Sequence, residues 1–210
     1  AMISRKDFLA LVLPPLGAEE FYCTVGIKGG DDDKSVKQRF VSSIEDICVH
    51  ADEFVAEQHN GFFALAKFDA EKRRTTKSAV ALKSFYVDLD CGPSKPYQDI
   101  VEGMTALKDF CIATKLPKPT IVKSGMGAHL YWVCNTPMPR ETWLPHAERL
   151  KELCIEHGFK VDPVVTSDAA RILRIPGTFH VKDLTNPILV EVLFAAPELT
   201  LEQVQHRYPE

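Results

Sequence analysis

Residues 84 to 92 read SFYVDLDCG, an apolar run that ends in two aspartates two positions apart. Side chains alternate along a strand, so Phe85, Val87 and Leu89 share one face while Tyr86, Asp88 and Asp90 share the other. The two carboxylates then stand side by side, their Cα atoms roughly 6 to 7 Å apart. Without a cation they repel, and burial raises one pKa; a divalent ion, which takes hard oxygen ligands, removes that conflict. The alternative is a solvated strand end that opens the turn at CGPSKP, and the tripeptide alone does not choose between the two.

The chain around this stretch has 210 residues, 45% hydrophobic and 26% charged, which is the composition of a globular domain with a substantial core. A formal charge of −4 neither advertises a nucleic-acid partner nor excludes one. No apolar run approaches the roughly 18 residues that span a bilayer, and the N-terminus lacks a signal-cleavage pattern, so a cytoplasmic protein with no membrane partner is expected. Ala1 reads as a cloning remnant ahead of Met2. None of the six cysteines forms a C-x2-C pair, and reduced core thiols are expected rather than a zinc site.

Apolar spacing predicts a helix over 3–13, stopped by Pro14 and Pro15, then a strand at EEFYCTVGI, a turn at GGDDDK and a strand at VKQRFV. Ser42 or Ser43 caps a helix to about Phe54, and GFFALAKF is the next strand. A second half carries strand 84–90, a helix from Tyr97 to Thr114, strands at TIVKS and HLYWV about a glycine turn, and a helix from Arg140 to His157. A short element near Arg171, a strand at ILVEVLF and a helix from Thr200 complete it. Hairpin-like pairs among crossover helices give an α/β (α+β) class with a mixed sheet. No linker divides the chain, so one domain is expected, with residues 1–75 as an N-terminal α/β unit and 76–210 as a core.

Three further stretches bear on chemistry. In VKSGMGAHLYW, Gly125 and Gly127 make a tight turn between two strands, with Ser124 and His129 at its edges; such a turn holds phosphate oxygens on exposed N–H groups, or is an ordinary hairpin. The segment VDPVVTSDAARILRIPGTFHVK concentrates Asp162, Asp168, Arg171, Arg174, His180 and Lys182. Arg171 and Arg174 would share a face on a helical turn and clamp a phosphate or carboxylate. Asp168 has a competing role as a first-turn acid, whereas Asp162, ahead of Pro163 and outside any helix, is preferred as a third metal ligand. Finally, the loop KFDAEKRRTTKSAVALK carries Lys67, Lys72, Arg73, Arg74, Lys77 and Lys83, either as phosphate contacts or as a solvated basic surface.

Asp-x-Asp at a strand end, then Ser-Gly-x-Gly-x-His, then an Asp-containing segment running into ARILRIPGTFHVK, resembles the archaeo-eukaryotic primase superfamily. The wording KSFYVDLDCG, SGMGAHLYW and SDAARILRIPGT is similar to the primase-polymerases of phages and mobile elements. The resemblance spans residues 74–182. It implies a catalytic core related to the RNA-recognition fold joined to the N-terminal unit. By motif, it makes Asp88, Asp90 and Asp162 the catalytic metal ligands for Mg²⁺ or Mn²⁺ and His129 the phosphate-binding histidine. Ser124, Gly125, Gly127, Arg171, Arg174 and Lys182 would contact the nucleotide, and Arg73, Arg74, Lys77 and Lys83 the nucleic acid. His180 stands where relatives commonly show Asn and is assigned no role.

The implied activity is template-dependent nucleotidyl transfer on single-stranded DNA from nucleoside triphosphates, in a bacterial host or phage-infected cell. A helicase domain or protein is a further implied partner, and the ending HRYPE fits a fragment of a longer protein. Competing readings are a metal nuclease and a nucleotide-sugar glycosyltransferase, the latter leaving Arg171 and Arg174 unexplained. A non-catalytic nucleic-acid-binding module is another; Tyr86, Tyr131 and Trp132 offer only a thin aromatic platform for it.

Overall fold

In the computed structural model, which describes residues 3–30 and 35–203, the Ser4 hydroxyl accepts from Asp7 N–H and caps helix α1 (Arg5–Val12). Strands β1 (Tyr22–Lys28) and β2 (Val36–Val41) follow, then α2 (Ile44–Ala56), capped by Ser43, and β3 (His59–Ala64). The chain next runs through β4 (Ala66–Phe68) and the long β5 (Ala79–Leu89), crosses in α3 (Ile100–Thr114), and returns as β6 (Thr120–Lys123) and β7 (Ala128–Pro139). Helix α4 (Arg140–Glu156), the one-turn α5 (Pro163–Thr166), β8 (Ile172–Arg174), β9 (Phe179–His180), β10 (Ile188–Leu189) and β11 (Glu191–Phe194) complete the named elements. Residues 31–34, most of the expected GGDDDK turn, lie outside the described residues. The helix expected from Thr200 is described only to Gln203, where reciprocal Thr200–Gln203 hydrogen bonds close its first turn.

Two principal sheets result: β2-β1-β3-β8, and β11-β6-β7-β5-β4, with β10-β9 as a separate ribbon. The α/β class is as expected, but every ladder between named strands is antiparallel. The crossover through α3 does leave β5 and β6 running the same way; β7 is inserted between them, antiparallel to both. Parallel pairing is left to the isolated bridges Cys91–Tyr97 and Cys134–Leu199.

Two expected strands are each split in two. GFFALAKF is two strands, because the chain leaves the smaller sheet for the larger at fully buried Leu65, whose N–H donates to Arg171 O. ILVEVLF is likewise two, broken at buried Val190, which exchanges backbone bonds with Gly177 and Thr178. Strand β4 joins the larger sheet and β8 returns to the smaller one. A single hydrophobic cluster continues through both, since two half-buried sheets must cover each other's apolar faces. Strand β5 starts at Ala79 rather than residue 84, and Asp99 caps α3 two residues beyond the expected Tyr97 start.

The alternation along β5 holds. Phe85 stacks on Trp143 of α4, 6.0 Å between ring centroids, and Leu89 meets the backbone of α3 at Gly103. On the opposite face Ser84 Oγ donates to Val12 O at 2.7 Å, and Phe8 of α1 packs edge-on against Tyr131 and Phe63. Asp88 and Asp90 therefore look toward the smaller sheet. None of the six cysteines is in a disulfide, and among the described residues no helix is long and apolar enough to cross a membrane.

Candidate active site

Where the C-terminal end of β5 meets the smaller sheet, a cleft of about 710 Å³ opens, lined by Asp88, Asp90, Ser124, Gly127, His129, Arg171, Arg174 and Lys182. Three stretches separated by tens of residues thus share one cavity.

The topology explains how the acids meet. Strand β4 pairs with β5 only as far as Leu82, so the aspartate end of β5 has an open edge. Asp162 occupies it, its N–H donating to Asp88 O at 3.0 Å. Burial chiefly, and then the charge of Asp162, push the Asp88 carboxyl up to about 6 against the opposing pull of Arg171, Arg174 and Lys182. Asp90 is raised by partial burial and by Asp88, with Lys95 countering.

Asp162 also has a structural task that the sequence reading did not see: its Oδ1 accepts from Val164 N–H at 3.1 Å and caps α5. Asp168, expected in a first helical turn, instead follows α5. Its Oδ1 accepts from Ala170 N–H and its Oδ2 lies 3.2 Å from Arg171 Nε. The charge of Asp162 acts on both β5 aspartates, whereas that of Asp168 acts on Tyr86. The donor set suits a hard divalent cation: carboxylate oxygens of mutually repelling acids beside open cleft volume. Among the described residues no three His, Cys, Asp or Glu side chains close on one point.

His129 faces Asp88 across the β5–β7 ladder, its Nε2 3.5 Å from Asp88 Oδ1. Burial, reinforced by Arg174, holds its pKa down at about 3, so the imidazole is neutral and the contact is no ion pair at pH 7. Its Nδ1 is buried without a hydrogen-bond partner, an unspent polar group of the kind a ligand can satisfy. The turn before it requires both glycines. Gly125 has φ 137° and lies under the His180 ring; a Cβ on Gly127 would stand 2.1 Å from Leu89 O. Ser124 N–H closes the turn onto Gly127 O, and Lys123 Nζ donates to Gly125 O.

Arg171 and Arg174 do not share a helical turn: Arg171 precedes β8, and Arg174 ends it. Both still reach the cleft. Arg174 is buried, its guanidinium 4.8 Å over the Phe62 ring and its Nη1 donating to Asn60 Oδ1 at 2.7 Å. Lys182 is exposed at the rim.

The expected nucleic-acid residues lie elsewhere. Arg73 and Lys77 are exposed, while Arg74 donates to Gln38 Oε1 and Ala170 O. Lys83 is half-buried, donating to Leu11 O at 2.8 Å and pairing with Glu198 at 2.6 Å, contacts that close the C-terminal end of α1. Lys67 pairs with Glu20.

Sequence reasoning gave no role to Phe62, Lys95, Met126, His180 or Asn186, all on the cleft wall. His180 had a signal, because reading TFHVK with period two puts it on one face with Lys182. Partial burial, Arg174 and Lys182 hold its pKa at about 4.

The chain matches no protein-family model and no curated protein sequence. Solved structures do match. The AEP domain of the cyanophage S-2L primase-polymerase superposes with a TM-score of 0.67 over 90% of this chain and 89% of that one, at 16% identity. The primase RepB' superposes at 0.60 over 97% of this chain and 62% of that one, at 13% identity. The chain has the archaeo-eukaryotic primase fold. The catalytic domain of RepB' in complex with initiator DNA also matches, at 0.55 over 90% of this chain and 85% of that one, with 14% identity. Matches this extensive take the fold beyond residues 74–182, the span of the sequence resemblance.

Proposed function

We propose that this chain is the catalytic domain of a template-dependent primase-polymerase, transferring nucleotides from nucleoside triphosphates onto a primer or first nucleotide on single-stranded DNA. The observation that carries this reading is the convergence of Asp88, Asp90, His129 and Arg174 on one cleft of a primase-type fold. Asp88, Asp90 and Asp162 would hold Mg²⁺ or Mn²⁺, which when bound lowers the pKa of the attacking 3′-hydroxyl and neutralises charge on the leaving pyrophosphate.

The chain's own groups perform the rest. The Ser124–Gly127 turn and neutral His129 offer hydrogen-bond donors to triphosphate oxygens without bringing another acid near them. Arg174 and Lys182 supply positive charge where negative charge accumulates, a positioning and electrostatic task. Phe62, Ile27 and Ile172 on the opposite wall are apolar and limit water. Exposed Arg73 and Lys77 are assigned to template phosphates. A helicase domain or protein completes the assembly that this domain would serve.

The test is incorporation of labelled nucleotides on single-stranded circular DNA with Mg²⁺ or Mn²⁺, with and without a primer. Products that require the template and vanish in Asp88→Ala and His129→Ala support the reading. Degradation of the DNA alone would make the chain a nuclease, and binding with neither outcome a non-catalytic module.

A further inference from the structure

Asn60 is the second residue of β3, 4% exposed, in the smaller sheet and outside every stretch singled out for chemistry. Its Oδ1 accepts two hydrogen bonds, from Arg174 Nη1 at 2.7 Å and from Val181 N–H at 2.9 Å. Both partners are obligate donors, so the atom between them must be the carbonyl oxygen, and the amide orientation is fixed by chemistry. One oxygen therefore holds the buried guanidinium of Arg174 and the backbone immediately before Lys182, two of the cations on the cleft wall.

The partner that a buried guanidinium ordinarily takes is a carboxylate. Arg174 has none: among the described residues it forms no ion pair, and Asp88 acts on it only through space. Its other support is the Phe62 ring. A neutral amide and an aromatic face orient the guanidinium without cancelling its charge, so the charge stays available to whatever anion enters the cleft. An aspartate at position 60 would give the same acceptor geometry and nearly the same shape while neutralising the cation.

We infer that Asn60 is a positioning residue for anion binding: it fixes Arg174 and the approach to Lys182 while leaving Arg174 uncompensated, so that the triphosphate of the substrate supplies the missing negative charge. This rests on the nucleotidyl-transfer reading for the identity of the anion, but not for the existence of the anion site. It also gives the smaller sheet a part in the site, since β3 delivers Asn60 and Phe62, two residues apart and so on one face, to the same guanidinium.

The experiment compares wild type, Asn60→Asp and Asn60→Ala in three measurements: thermal unfolding, calorimetric binding of inorganic tripolyphosphate, and the KM and kcat of nucleotide incorporation. Asn60→Asp is expected to unfold at the wild-type temperature or above it, yet to bind tripolyphosphate at least about tenfold more weakly, the scale of one lost charge-assisted contact. Its nucleotide KM should rise by a similar factor with kcat changed less. Asn60→Ala should lose both stability and affinity, because Arg174 and Val181 N–H are left without their acceptor.

A purely structural asparagine predicts the opposite pattern, with Asn60→Asp binding tripolyphosphate like wild type; that result overturns the inference, as does a wild type that binds no tripolyphosphate at all. A wild type that binds tripolyphosphate through Asn60 but incorporates no nucleotide would sink the polymerase reading and leave this one standing.

Discussion

Replacing Asp88 with asparagine is expected to make the folded protein more stable at neutral pH while removing the group on which its proposed chemistry depends. In the fold the Asp88 carboxyl is held at about 6 against an ordinary 3.8, because burial and the Asp162 charge disfavour its ionised form. Between those two pH values the folded chain retains a proton that the unfolded chain has released, so stability is fullest below the unfolded value and falls as pH rises through 6. At ~1.4 kcal/mol per pH unit the penalty at pH 7.5 is at most roughly 3 kcal/mol. The neutral amide of Asp88→Asn escapes it. A gain of about 1 to 3 kcal/mol corresponds to a rise of roughly 3 to 10 °C in unfolding temperature for a chain of this size. The assay is denaturant unfolding in a chelator at pH 7.5 and at pH 4. The gain should be present at pH 7.5 and nearly gone at pH 4, where the wild-type carboxyl is protonated in the fold. Added Mg²⁺ should stabilise wild type and not the variant. A variant no more stable than wild type at pH 7.5, or one whose advantage persists undiminished at pH 4, would refute the electrostatic account of this site.

Three further outcomes follow from the geometry. Asp162→Asn keeps a competent helix cap and removes a charge that opposes Asp88 and Asp90, so at pH 7.5 it should unfold at the wild-type temperature or somewhat above it while losing nucleotide incorporation; Asp168→Ala should retain incorporation, and the reverse pattern in that assay would exchange their roles. Gly127→Ala drives a Cβ onto Leu89 O, and thermal unfolding should show a loss of roughly 3 kcal/mol. Lys83→Ala should cost about 1 to 2 kcal/mol of stability with single-stranded DNA affinity unchanged, whereas exposed Lys77→Ala should weaken that affinity in a salt-dependent way and leave stability alone; filter binding at two ionic strengths separates them.

The parts of the site readable in sequence are those carried by local pattern. Period-two alternation put Asp88 and Asp90 on one face, and a glycine pair between apolar runs marked the turn leading to His129. What escaped depends on contacts between distant segments. The break at Leu65 lies inside a continuous apolar run, because a strand that changes sheets stays buried on both sides of the crossing, and the break at Val190 is set by its backbone bonds to Gly177 and Thr178. The partners of Lys83 come from α1 and from Glu198, and a charge count over its own loop made it look available. Asn60 is one polar residue in HNGFFALA, and its meaning appears only when β8 returns from the far end of the chain to pair with β3. Asp162 was chosen for being unexplained structurally; it does cap α5, and its place beside Asp88 comes from the open edge that β4 leaves on β5.

The central claim, that the cleft between the two sheets transfers nucleotides under template direction, is tested most directly by single-nucleotide extension. A labelled primer annealed to a template with one defined next base is incubated with each nucleoside triphosphate separately, Mg²⁺ or Mn²⁺, and wild type or Asp88→Ala. The account predicts a one-nucleotide addition only with the complementary nucleotide and only with the intact Asp88. Addition that ignores the template base, survives Asp88→Ala, or gives way to shortening of the primer would contradict it.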